Sequence, residues 1–197
     1  MNITNKDFFW FHDKWASSKD IQAICDDVNE KWNLILGNYE GIKFPLIFKV
    51  FQGTRWNDVV NTGWPSLYLI SERMKNLLEE NNLTGWQTFP VKVLDKKDNE
   101  ITGYYGFSVT GRCNALLDYR QSPIIEKQYI ANGPIVKFYK GVFFNIDSWD
   151  KSDFFFTENY YAIFITKKVS EILKKNKIIG LELENLADWE MNVRDVK

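Results

Sequence analysis

The sequence predicts an α+β fold: a mixed or mostly antiparallel sheet with a duplicated strand–helix–turn–strand unit and an N-terminal helix packed on it. Three observations lead there. Apolar residues recur at helical spacing in three separated segments. Short apolar runs between them are bounded by Gly, Pro and Asn, as strands are. Residues 69–88 also align without gaps on residues 164–183 at a constant offset of 95.

Taken in order, the first predicted helix runs from Ser17 to Leu36. Ser17 is its N-cap candidate, with Asp20 three residues on. Ile21, Ile24, Cys25, Val28, Trp32 and Ile35 share one face, and Gly37-Asn38 is the stop. Phe44 to Phe51 reads as a strand, with Pro45 near its start suggesting an edge strand or a strand entry. Arg55 to Val60 reads as loop or one helical turn. Leu67 to Ile70 is a short strand, and Ser71 caps a helix with Met74, Leu77 and Leu78 on one face. Gly85 turns the chain into a strand, Trp86 to Leu94, broken by Pro90 and antiparallel to Ile101–Val109. Ile124–Ile130 and Ile135–Phe144 flank Asn132-Gly133, a hairpin signal that Pro134 makes imperfect.

In the aligned segments Ile70 matches Ile165, Ser71 matches Thr166, and Met74 matches Val169. Leu78 matches Leu173, Asn81 matches Asn176, and Gly85 matches Gly180. Only four of the 20 positions are identical, but the matches fall at strand end, cap, apolar face, helix stop and turn glycine. The charges do not repeat: the segment 71–82 carries a net −1 and the segment 166–177 a net +4. These read as solvated faces. A single domain, 1–197, is expected: an N-terminal helix and strand region to 65, a first unit with hairpin and polar loop over 66–122, and a hairpin with the second unit over 123–197.

Composition narrows the function. With 25 Lys+Arg against 26 Asp+Glu, the whole protein offers no electrostatic argument for nucleic acid or an anionic membrane. No stretch approaches 18 uncharged apolar residues. The start of the chain has no basic segment followed by an apolar run, so a cytoplasmic protein with reduced Cys25 and Cys113 is expected. One His and two distant Cys cannot build a multi-His, four-ligand zinc or iron–sulfur site, so no metal and no cofactor are expected. A Ser-His-Asp or Cys-His site would have to use His12, whose neighbour Asp13 points away from it on a strand or helix. No catalytic residue is assigned.

Two features remain as candidate partner or ligand sites. In the polar loop 110–122, Arg112, Asp118 and Arg120 have the chemistry of an oxyanion or carboxylate site, or brace the loop by pairing with each other and with main-chain carbonyls. Trp56, Trp64 and Trp149 sit among loop residues, either as core or as an interface or sugar-stacking platform.

The runs SLYLISERMKNLLEENNLTGWQTFPVKVLD, GYYGFSVTGRCNALLDYRQS, GVFFNIDSWDKSDFFF and AIFITKKVSEILKKNKIIGLELENLADWE together resemble a bacterial immunity-protein family of the polymorphic-toxin systems. The resemblance covers residues 50–190 and rests on the order of elements. Double-CxxCG-motif proteins look like relatives, but Cys25 and Cys113 form no CxxC pair, so no bound metal carries over. The resemblance implies a non-enzymatic cytoplasmic protein that binds and neutralises a cognate toxin. Gly111, Arg112, Asp118 and Arg120 match the family's polar loop without an implied role. The alternatives are a small-ligand-binding protein or weak enzyme using Arg112, Asp118 and Arg120, and an interaction module without a toxin.

Overall fold

Alternating burial along short apolar runs gives this chain more strand than helix. The computed structural model describes residues 3–14, 17–25, 31–128, 130–158 and 160–196. The N-terminal part contains β1 (Phe8–Asp13), β2 (Gln22–Ile24), α1 (Lys31–Leu36), β3 (Leu46–Gln52) and β4 (Val59–Asn61). The middle contains β5 (Tyr68–Ser71), α2 (Glu72–Glu80), β6 (Trp86–Phe89), β7 (Val91–Leu94), β8 (Glu100–Ile101), β9 (Tyr104–Val109) and β10 (Gly111–Cys113). The remainder contains β11 (Ile124–Gln128), β12 (Ile135–Lys140), β13 (Phe154–Thr157), β14 (Tyr160–Thr166), α3 (Lys167–Lys175), β15 (Leu181–Asn185) and β16 (Glu190–Asn192).

The strands form sheets of eight (β6-β9-β5-β4-β2-β3-β7-β8), five (β10-β13-β14-β1-β15) and three (β11-β12-β16). They are mixed. β2 runs parallel to β4, β3 to β7 and β10 to β13, and the other pairs are antiparallel. With three α-helices among the described residues this is the expected α+β class.

Strand β5 runs directly into α2. The Ser71 hydroxyl accepts the Met74 N–H at 3.1 Å, closing the cap, while Met74 and Leu78 are buried. Strand β14 also runs directly into α3, with Thr166 at the N-cap position, its hydroxyl turned to Asp153 rather than to the helix, and Val169 and Leu173 buried. Two aspartates tie these segments together. Asp58 accepts the Ser71 hydroxyl at 2.7 Å and the Ile179 N–H at 3.1 Å. Asp153 accepts the Thr166 hydroxyl at 3.0 Å and the Thr84 N–H at 3.0 Å. Each therefore holds one helix start and the turn that follows the other helix. Arg73 pairs with Asp58 at 3.1 Å and Lys168 with Asp153 at 3.7 Å. Asp58/Asp153, Arg73/Lys168 and Thr84/Ile179 all keep the offset of 95. The sheets keep it too: Val59 faces Ile70 and Phe154 faces Ile165. β9 lies between β5 and β6 as β1 lies between β14 and β15.

The predicted helix from Ser17 to Leu36 needs correction. Helix is present only over Lys31–Leu36, residues 17–25 form a turn and β2, and 26–30, with Val28, lie outside the described residues. The reason is tertiary. Ile21, Ala23 and Cys25 are buried with the period of a strand. Asp20 does not start a helix. Its carboxylate accepts from Arg55 Nε at 2.7 Å and Asn57 Nδ2 at 3.0 Å. Arg55–Val60, read as loop or helical turn, leads into β4. The predicted hairpin around Asn132-Gly133 forms, with Gln128 opposite Ile135 as the last pair before the turn. Pro134 has no N–H for a tighter turn.

β13 and β14 divide the core. Phe154, Phe156, Ile163 and Ile165 join the main apolar cluster with β3, β5, α2 and α3. Phe155 and Phe164 point the other way, into a second cluster with Phe8, Phe144 and Trp189. No described helix is long and apolar enough to cross a membrane.

Candidate interaction site

β1 alternates like β13. Phe11 enters the main cluster, while Trp10 belongs to the second. Cross-strand bonding on both sides fixes this register, with Trp10 opposite Phe164 of β14 and Glu184 of β15. The Trp10 ring stacks on Trp189 at 4.8 Å and on His12 at 4.0 Å, so His12 ends a three-ring stack.

Beside this stack lies a cleft of about 720 Å³, lined chiefly by Trp10, His12, Trp64, Tyr68, Tyr160 and Tyr161. Three strand systems meet there. β1 supplies the stack, the loop after β4 supplies Trp64, and the start of β14 supplies Tyr160 and Tyr161. The rim is open: Trp64 is 39% exposed and Tyr161 44%. Trp32, from α1, is 39% exposed and lies ring to ring with Tyr161 at 4.1 Å. Lys31 Nζ sits 4.5 Å over the Trp64 ring.

The polar floor of the cleft is satisfied internally. Asp13 accepts from Asn61 Nδ2 at 2.6 Å and from the Tyr68 hydroxyl at 3.2 Å. Burial, reinforced by the Asp13 charge, pushes the Tyr68 phenol above the tyrosine range, so it stays a protonated donor. His12 Nδ1 is 2.9 Å from the Asp13 carbonyl oxygen. Such a site can stack, bury apolar surface and accept cations. Among the described residues no group of three or more His, Cys, Asp or Glu is placed to hold a metal ion.

The residues singled out in the sequence are distributed differently. The Arg112 guanidinium donates to the carbonyls of Val109 and Gly111 at 2.8 Å and of Leu36 at 3.0 Å. Burial lowers its pKa. Asp118 accepts from Arg120 Nε at 2.9 Å and Nη2 at 2.8 Å, and those bonds hold its carboxyl below the usual carboxylate range. Asp118 and Arg120 are thus brought together, with Arg120 90% exposed, and Arg112 joins neither. Trp56 packs on Tyr104 at 4.9 Å. Trp149 packs on Phe8 at 5.1 Å and donates its indole N–H to the Ser152 carbonyl at 3.1 Å. Of the three tryptophans Trp64 alone borders the cleft. Sequence reasoning missed Trp10, His12, Trp32, Tyr160 and Tyr161 as a surface. The usable signal was the alternation Phe-Trp-Phe-His over 9–12, which puts Trp10 and His12 on one face.

Residues 11–188 match the immunity protein family Imm11. Comparison with curated proteins finds no match.

Proposed function

The chain belongs to the immunity protein family Imm11, and on that premise we propose that it neutralises a cognate toxin protein in the cytoplasm by binding it, without chemistry of its own. The family match over 11–188 carries this reading. An inhibitor of this kind needs a surface that occludes the toxin, and aromatic side chains with exposed faces are the usual anchors of such surfaces. Trp64, Tyr161 and Trp32 are exposed together at the rim of one cleft, which supports placing the toxin contact there.

The test is to identify a candidate toxin gene next to this one and to co-express its toxin domain with this chain. Growth should be restored and the two proteins should purify as a complex. Continued killing with no complex would refute the reading. Within a working pair, Trp64→Ala and Tyr161→Ala should each weaken binding by about 1–3 kcal/mol, measured by titration calorimetry.

We also read 1–197 as one domain whose segments around α2 and α3 arose by duplication. The reciprocal bonds of Asp58 and Asp153, and the offset of 95 shared by caps, turns and strand register, support this.

A further inference from the structure

The toxin-binding reading can be taken to the chemistry of the partner. β15 lies antiparallel to β1, with Glu184 opposite Trp10 and Glu182 opposite His12. Directly opposed residues share a sheet face, so both carboxylates stand on the face of the ring stack. Trp10, His12, Glu182, Leu183 and Glu184 line an open groove of about 480 Å³. Trp10 and His12 also line the aromatic cleft, so the two hollows share a wall.

The charge along this wall is not taken up by an ion pair among the described residues: neither Glu182 nor Glu184 forms one, whereas nearby Glu190 pairs with Lys127 and Asp188 with Lys140. Glu184 is half-buried. Burial raises its pKa, His12 opposes that, and Glu190, Asp188 and Glu182 add to it. Lys31 lies over the Trp64 ring at the cleft's rim.

Resting on the reading above, we propose that this groove receives an arginine side chain from the toxin, whose neighbouring apolar residues fill the cleft beside it. A guanidinium stacks flat on an aromatic face while donating in its own plane to carboxylates, and the groove presents the His12 imidazole, which ends the ring stack, beside two carboxylates. A compact ammonium meets the carboxylates but gains less from the rings. An acidic segment would place its charge against two glutamates.

Calorimetric titration of the purified toxin domain into the whole chain tests this. Glu182→Gln/Glu184→Gln should bind about tenfold more weakly than wild type, with an unchanged thermal midpoint. Glu72→Gln/Glu80→Gln, the same charge change on α2, should bind within about twofold of wild type. Wild-type affinity should fall steeply with added salt and that of the Glu182/Glu184 variant less so. Blocking the toxin's arginines with phenylglyoxal should abolish tight binding, while acetylating its lysines should leave it. Equal affinity of the Glu182/Glu184 variant and wild type would overturn the groove assignment and leave toxin binding standing. Sensitivity to lysine acetylation alone would overturn the choice of arginine. Absence of wild-type binding would overturn both readings.

Discussion

Burial alone would push the Asp20 carboxyl up. Hydrogen bonds from Asn57, Arg55 and the Ser17 N–H outweigh it and hold the group below its ordinary 3.8. A folded pKa below the unfolded one means stability that is present above pH 3.8 and lost as pH falls through the folded value. Asp20→Asn should therefore cost about 1–2 kcal/mol at neutral pH, with Arg55's exposure keeping the figure modest. Urea melts should show the gap to wild type closing as pH drops below 3.8. The thiols make a second prediction at this scale. Both cysteines are buried, and burial pushes Cys113 up to about 11. Iodoacetamide at mildly alkaline pH should leave the native protein unlabelled and modify both thiols once it is unfolded, as mass spectrometry would read. The polar loop shows what single residues reveal before folding. The pairing of Asp118 with Arg120, two positions apart, was legible. That Arg112 turns to main-chain carbonyls was open to the sequence as well, but that one of them belongs to Leu36 was not.

At the scale of elements, legibility followed how local the determinants are. β5, α2 and the turn at Gly85 could be read because cap, apolar face and stop lie within a few residues of one another. The segment 17–36 could not. Ile21, Ile24, Cys25 and Trp32 satisfy a helical period, but pairing of β2 with β3 and β4 buries Ile21, Ala23 and Cys25 instead. Turn glycines give a sharp test. Gly85 has φ +81° and a Cβ there would collide with the Phe154 carbonyl oxygen; Gly180 has φ +91° and would meet that of Val59. Gly41 has φ +74° with open space around it. Gly85→Ala and Gly180→Ala should each cost about 2–4 kcal/mol in chemical denaturation, and Gly41→Ala only about 1 kcal/mol.

At the scale of the whole molecule, Phe154 and Phe155 are neighbours that serve opposite clusters, and both are fully buried. A strand shared in this way couples the clusters. Phe154→Ala and Phe155→Ala should each cost about 3–5 kcal/mol, and each variant should still unfold in one transition, coincident by circular dichroism and tryptophan fluorescence. Two separated transitions would show that the clusters melt independently. The aromatic cleft exists only at this scale. Its lining comes from β1, from the loop around Trp64 and from β14, so no window of sequence contains it.

The placement of β1 sets a schedule for synthesis. Phe8–Asp13 leave the ribosome long before β14 and β15, the strands on either side. Until then Phe8, Phe11 and Trp10 have no sheet to enter, and the wall they complete is missing. If that wall is where a toxin is held, a growing chain protects nothing, and a cell relies on molecules finished before the toxin arrives.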